Sequence, residues 1–353
     1  MIAATYTQNG EFRVEDLPVP AIAADELLVQ VMASSICGTD LRTIRNGHRK
    51  LAAGRKIVLG HEFAGLIVKA GKRAGPFCEG QRIGVAPNMG CGLCEMCVRG
   101  MPNMCPDYTA FGITLDGGHA EYVRIPQAAI AQGSVCVLPD GLPWAAASLI
   151  EPLSCVVNGI RAARIALGDT VLVFGAGPIG LMHLLVARVR GAAGVIVADV
   201  QPERLALAGR LGAAGTVDSA AEDVREHVLA QTAGRGVDVV ITACSAAAVQ
   251  EQSLGLVAPF GRVCFFGGLP KDGSLVKLDT NLIHYKQLLV TGVTGGSPRD
   301  FRTAMRLIAS GRVDVEQVVS HRFATARMAA AFDAALGRDA MKIVIDRGVG
   351  ESP

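Results

Sequence analysis

The run Val171-Leu-Val-Phe-Gly175-Ala-Gly177-Pro-Ile-Gly180-Leu-Met182 decides the fold of this chain. Four apolar residues read as a buried strand, a G-x-G-x-x-G motif follows at once, and helical spacing begins behind it. In that context Gly175 permits the tight turn and Gly177 lets backbone approach a pyrophosphate. Gly180 lets the helix pack closely on the strand, and the helix N-terminus faces the phosphates. Asp199 closes the next strand-like run, nineteen residues after Gly180, where a carboxylate can accept hydrogen bonds from both hydroxyls of a ribose. The same carboxylate repels a 2'-phosphate, which favours NAD over NADP. The competing structural reading is a glycine-rich turn with Asp199 capping the helix near Pro202.

Outward from this loop, strand-like runs at 170–174, 194–198, 237–243, 261–266 and 288–293 are separated by helical patterns such as 202–211 and 247–257, and 215–217 offers a sixth strand. That alternation predicts an α/β domain, a doubly wound parallel sheet with helices on both faces. Up to about residue 140 the rhythm is different, with strand-like runs at 27–33, 63–68, 82–85 and 119–125 set among Gly and Pro. An alanine-rich stretch, 143–167, has helical spacing between the two regions. Beyond about 295, helical patterns at 299–310 and 327–336 and a strand at 341–346 return to the mixed character of the first half. The expected division is therefore a discontinuous, mostly-β domain of 1–155 and 295–353 around a dinucleotide-binding domain of 156–294.

Composition narrows the function classes. The 353 residues have room for two cores, and 50% apolar against 19% charged residues excludes disorder as the main state. With 34 Lys and Arg against 32 Asp and Glu, the net charge of +2 supplies no global field for a polyanion, so neither nucleic acid nor a membrane is expected as partner. The uncharged run 170–187 is long enough for a membrane span, but Gly175, Gly177, Pro178, Gly180 and His183 interrupt it. The segment Met1 to Arg13 does not read as a secretory signal, and a cytoplasmic location is expected. In a reducing compartment, ten cysteines point to metal ligands rather than to disulfides.

Their spacing supports this. Cys91, Cys94, Cys97 and Cys105 follow C-x2-C-x2-C-x7-C within a lobe of residues 88–106, the density of a closed four-thiolate structural zinc. An iron–sulfur cluster is disfavoured because the last gap of the ferredoxin pattern is three residues rather than seven. Upstream, Cys37-Gly-Thr39-Asp40 and Gly60-His61-Glu62 place a thiol, an imidazole and a carboxylate at the ends of predicted strands, and Glu151 adds a candidate fourth group. A catalytic zinc needs such a partial ligand set and one open position. Taken singly, each of these residues also reads as a core or loop residue.

Together with Gly65, Gly71 and Glu151-Pro-Leu, these motifs resemble the zinc-dependent medium-chain alcohol dehydrogenases, and within them the polyol (sorbitol) and threonine dehydrogenase branch. The resemblance spans nearly the whole chain. It implies a GroES-like catalytic domain, a Rossmann domain, a cleft between them, two zincs per chain, NAD, and a homodimer or homotetramer. It makes Cys37, His61 and Glu62 the catalytic zinc ligands and Glu151 a fourth ligand or a partner of the zinc-bound water. Asp40 would hold the remaining N–H of His61, and Thr39 would take the proton of the substrate hydroxyl. Ile179, Asp199, Arg204, Gly267, Gly268, Leu269, Val293 and Thr294 match cofactor-contacting positions.

The departures concern the substrate. Where several relatives carry a relay histidine, this chain has Arg42, and the next histidine is His48. A Tyr and an Arg expected of sorbitol dehydrogenases are missing, and the threonine enzymes differ around Glu151-Pro-Leu-Ser154. The expected reaction is hydride transfer from a secondary alcohol of a sugar, polyol or sugar derivative to NAD. The alternative is a threonine-like amino-alcohol or short secondary-alcohol dehydrogenase, and a redox-sensing binding protein is the reading from another class. Between Asp40 and Glu62, six cations (Arg42, Arg45, Arg49, Lys50, Arg55, Lys56) occur without an acid. They read as a solvated loop, a subunit contact, or a binding segment for an anionic substrate with Arg42 and His48 at its centre.

Overall fold

A nine-residue strand, Leu27–Ser35, organises the first part of the fold. In the computed structural model, which describes residues 1–8, 10–337 and 340–348, the chain forms two units, Met1–Ser154 with Gly296–Pro353 and Cys155–Gly295. In the first unit, Leu27–Ser35 pairs antiparallel with Phe63–Ala70, Tyr122–Ile125 and Ile343–Asp346. The sheet runs Val135–Val137, Arg82–Val85, Phe63–Ala70, Leu27–Ser35, Ile343–Asp346, His321–Phe323. A second sheet of Glu11–Asp16, Ile2–Thr7 and Lys56–Val58 lies in the same unit. Alternate residues Leu27, Val29 and Val31 are buried with Phe63, Ile67, Ile83, Phe111 and Ile125, and this core fixes the register of the long strand.

The second unit is a six-stranded parallel sheet in the order Gly215–Asp218, Gly194–Asp199, Thr170–Phe174, Val237–Thr242, Val257–Phe265, Leu289–Gly292. This is the doubly wound order in which the chain reverses direction beside its first strand, so the expected Rossmann architecture is present. Val171, Leu172 and Val173 are fully buried at its centre, each contributing roughly 1.5–3 kcal/mol of apolar burial. Among the described residues no helix is long and apolar enough to cross a membrane.

Several element bounds differ from the sequence expectation, and three of the differences have a local cause. Gly38–Asn46 is a helix, although only Leu41 and Ile44 mark an apolar face: Cys37 caps it, its sulfur accepting from Thr39 N while the Asp40 carboxylate accepts from Cys37 N. A capping box built on a cysteine is not a standard helix-start signal, so the segment read as loop. The strand expected from residue 119 begins at Tyr122, because His119 and Ala120 pair instead with Ala3, Ala4 and Leu59, outside the main sheet. The helix expected through Val257 ends at Leu256, and the following strand begins four residues earlier than expected.

His183, on the helix Pro178–Arg190, is 0% exposed with neither ring nitrogen hydrogen-bonded. Its ring meets Phe266 edge-on at 4.6 Å, and burial pushes its pKa from 6.5 down to about 3. Between those values the unfolded chain binds a proton that the folded chain refuses, so stability falls as pH drops, by up to about 1.4 kcal/mol per unit. His183→Leu should therefore flatten the acid side of a stability profile measured by denaturant unfolding between pH 7 and 4. An unchanged profile would mean that the ring is protonated in the folded state.

Candidate active site

The antiparallel pairing of Leu27–Ser35 with Phe63–Ala70 builds the site. Cys37 lies just past the C-terminal end of the first strand, while His61 and Glu62 lie just before the start of its partner. Ser35 N donates to Glu62 O at 2.9 Å, which holds the two ends together. As a result one ligand atom each of Cys37, His61 and Glu62 falls within 4.8 Å of the others. Glu151, the second residue of the helix Ile150–Ala162, is buried and acts electrostatically on His61, but stands outside this three-residue cluster.

His61 Nδ1 is buried without a hydrogen-bond partner, and Asp40 Oδ1 lies 3.8 Å away, an electrostatic neighbour rather than a hydrogen-bond acceptor. Oδ2 of Asp40 is already taken by Cys37 N at 2.9 Å and His119 Nε2 at 3.3 Å. Burial pushes the Asp40 carboxyl up, but His119 and His61 more than reverse this and hold it at about 2. Burial likewise pushes the His61 imidazole down, yet Cys37, Asp40 and Glu151 raise it well above its ordinary value. The pocket thus draws a positive charge to the point where the thiol, imidazole and carboxylate converge. A sulfur, a nitrogen and an oxygen donor converging within 4.8 Å fit a zinc ion.

Sequence reasoning missed three residues of this site. Glu62 Oε2 accepts from Lys342 Nζ at 2.5 Å and from the Ser35 hydroxyl, and Lys342 also donates to Ile36 O at 3.1 Å. Burial works against the charge of Lys342, but Glu62 and Cys37 hold its pKa above the ordinary lysine value. His119 is the third. Lys342 and His119 reach the site through sheet pairing across long stretches of sequence, and no local motif marks either; Ser35 sits two residues before Cys37 as an ordinary strand serine.

Arg42 Nη2 donates to Thr39 Oγ1 at 3.1 Å, one helical turn back towards Cys37. Most of the basic segment is engaged elsewhere. Arg45 donates to Leu336 O, Arg55 to Thr114 O, Lys50 to Tyr108 O while covering the Tyr108 ring, and Lys56 pairs with Glu15. Among the described residues, Arg42 and Arg49 have no carboxylate partner. Burial, then Arg49, Arg42 and Lys50, push the half-buried His48 imidazole below its ordinary value.

The four cysteines of the lobe also converge, their sulfurs all within 4.8 Å of one another. Cys94 N donates to Cys91 Sγ and Cys91 N to Cys105 Sγ, both at 3.3 Å. Backbone N–H groups of Leu93 and Cys94 draw the Cys91 thiol down to about 7, whereas burial pushes Cys97 up to about 12. Four sulfurs at this spacing cannot all ionise without a cation, and a closed thiolate site supplies one. An added Cβ on Gly90 would lie 2.3 Å from Cys97 Sγ, so glycine is required beside the cluster.

In the second unit, Gly175 takes φ +97°, which favours glycine, and an added Cβ on Gly180 would lie 1.7 Å from Gly175 O. Gly177 caps the helix Pro178–Arg190 with open space at its Cα, and Ile179 is half-buried in the first turn. Asp199 Oδ2 accepts from Ala176 N at 2.6 Å and Oδ1 from Gln201 N at 2.9 Å, tying the loop to the end of the second strand. Arg204 is half-buried in the helix that follows. Gly267, Gly268 and Leu269 follow the fifth strand and Val293 and Thr294 the sixth, at the same carboxyl edge of the sheet. Gly267 N donates to Thr242 O at 2.7 Å, and its own carbonyl accepts from Gln250 Nε2.

A dinucleotide loop at the carboxyl edge of a parallel sheet, in a chain whose other unit gathers soft metal ligands, defines a metal-dependent dehydrogenase. The sequence matches the zinc-binding dehydrogenase family over residues 178–310 and the alcohol dehydrogenase GroES-like domain over 23–138. It is 32% identical to the sorbitol dehydrogenase of Bacillus subtilis, covering 95% of this chain and 94% of that protein. It is 35% identical to the L-threonine 3-dehydrogenase of Pyrococcus furiosus, covering 91% and 90%. A candidate zinc-binding dehydrogenase from Sinorhizobium meliloti 1021, solved with NADP, superposes with a TM-score of 0.89 at 32% identity over 98% of each chain. The chain belongs to the zinc-dependent medium-chain alcohol dehydrogenase family, in its polyol and threonine dehydrogenase branch.

Proposed function

We propose that this chain oxidises a secondary alcohol of a sugar, polyol or sugar derivative with NAD, using one zinc at Cys37, His61 and Glu62 and a second at the four-cysteine lobe. The convergence of the Cys37, His61 and Glu62 donor atoms within 4.8 Å carries this reading. Zinc, when bound, supplies a Lewis acid that polarises the alcohol oxygen and lowers its pKa. Glu151 is close enough to share the site's charge as a fourth ligand or as a partner of bound water. Thr39 Oγ1 is the first acceptor for the hydroxyl proton, with Arg42 Nη2 as its hydrogen-bond neighbour at 3.1 Å. A bound NAD would accept the carbinol hydride, so that the overall reaction yields a ketone, NADH and a proton released to solvent. A screen for NADH formation over polyols, aldonates, sugar phosphates and amino alcohols tests the reading. Turnover confined to amino alcohols, or one metal per chain on elemental analysis, would overturn it.

The related structure that holds NADP makes cofactor preference a matter of the residues at the second strand end. Asp199 there should give a higher kcat/KM with NAD, because a buried 2'-phosphate beside its carboxylate adds repulsion. Asp199→Ser should narrow the gap by about tenfold, the equivalent of about 1.4 kcal/mol. Equal or better kcat/KM with NADP in the wild type would refute this role.

The substrate is proposed to carry an anionic group. Arg42 and Arg49 retain free donor capacity after the rest of the basic segment is engaged, and Arg42 lies one side chain from Thr39. An anionic substrate should show a KM that rises with salt and rises further in Arg42→Ala, with kcat less affected. Equal turnover of neutral polyols and an unchanged KM in the variant would reduce the segment to surface.

A further inference from the structure

We propose that His119 is a positioning residue of the metal centre, acting through Asp40. The proposal rests on the reading that Cys37, His61 and Glu62 hold a metal. His119 is 0% exposed, and both ring nitrogens are engaged: Nδ1 meets Ser34 Oγ at 3.0 Å and Nε2 meets Asp40 Oδ2 at 3.3 Å. An ionised Asp40 can only accept, which assigns the hydrogen of that contact to Nε2 and leaves Nδ1 to accept from the Ser34 hydroxyl. With Cys37 N on the same oxygen, Oδ2 is held from two sides, and Oδ1 is the oxygen that faces His61 Nδ1.

The ring itself has little freedom. Its backbone N–H donates to Leu59 O at 2.9 Å, its carbonyl accepts from Ala4 N at 2.8 Å, and its edge packs on Phe332 at 5.2 Å between centroids. Gly60, the residue before His61, takes φ +97°, and an added Cβ there would lie 2.6 Å from His119 N and 2.7 Å from its Cγ. His119 therefore packs directly against the backbone that delivers His61. Ser34, His119 and Asp40 form a buried chain of polar contacts ending beside a ligand, and partners of that kind typically change metal affinity or activity 10–100-fold when removed, roughly the effect expected here.

The test compares the full chain, loaded with zinc, as wild type, His119→Phe, His119→Gln and Ser34→Ala. Phe keeps the edge contact with Phe332 and removes both polar contacts, whereas Gln restores a donor towards Asp40. Zinc release to a chelator is followed with the spectrum of the cobalt-substituted protein and the melting temperature. His119→Phe should release the zinc of the Cys37 site on the order of 10–100-fold faster and alter the cobalt spectrum, with release from the cysteine lobe unchanged. His119→Gln should return most of the retention, and Ser34→Ala, which keeps the ring, should show a smaller change in the same direction. Wild-type release and spectrum in His119→Phe, or a His119→Gln protein that melts like wild type but releases zinc like His119→Phe, would overturn the positioning role. If His119→Phe fails to fold, wild-type release in Ser34→Ala overturns it. A wild-type chain that takes up no metal at Cys37 would overturn the dehydrogenase reading itself, a result distinct from a loaded wild type with an indifferent His119→Phe.

Discussion

Cys37→Ser should lower kcat/KM by roughly a thousandfold or more while leaving dinucleotide binding intact, an effect at the upper end of that for losing one electrostatic stabiliser. The substitution isolates chemistry from folding. Cys37 caps the helix Gly38–Asn46, and serine is among the best residues at such a position, so the helix start should survive. What is lost is the thiolate, the softest donor of the Cys37, His61, Glu62 cluster and the largest single influence favouring a charged His61. The dinucleotide loop belongs to the other unit, so NADH titration by fluorescence should give a Kd close to wild type. Cys94→Ser should do the reverse, lowering the melting temperature or the yield with the Cys37 site still able to hold metal. Retained turnover in Cys37→Ser would remove the thiol from the mechanism.

The second large effect is on stability. In the metal-free protein Lys342→Met should cost about 3–5 kcal/mol, because it removes the ion-pair partner of the buried Glu62 carboxylate and leaves the Ser35 hydroxyl as its hydrogen-bond donor. Removing both charges together, in Glu62→Gln with Lys342→Met, should cost much less than the sum of the single changes, since the penalty comes from the unpaired ion rather than from the pair. Denaturant unfolding of the four proteins measures the coupling. Additive losses would show that Lys342 and Glu62 do not interact energetically despite the 2.5 Å contact.

What the sequence revealed follows the distance over which each signal acts. The strands Thr170–Phe174 and Arg82–Val85 have the bounds expected of them, because a short buried run is written locally. The cysteine lobe is equally local, its four sulfurs lying within one short loop-rich segment. The helix at Gly38–Asn46 was hidden because Arg42, Arg45 and an unusual cap dilute its pattern, and the basic segment looked free because its acceptors are backbone carbonyls. Backbone acceptors have no letter in the sequence. His119 and Lys342 were silent for another reason: each becomes part of the site only through the register of sheet strands drawn from distant parts of the chain.

The place of Lys342 has a consequence for biosynthesis. Ile343–Asp346 inserts between Leu27–Ser35 and His321–Phe323, so the central sheet of the first unit lacks an inner strand until synthesis has passed Asp346. The second unit, continuous from Cys155 to Gly295, can fold as soon as it emerges, whereas the first must keep its early strands waiting for their last partner. During that interval Glu62 lacks its Lys342 partner, and a metal ion would be an alternative counter-charge for the carboxylate. Vectorial synthesis thus orders the assembly, with the unit Cys155–Gly295 finished first and the other sealed later by the strand Ile343–Asp346.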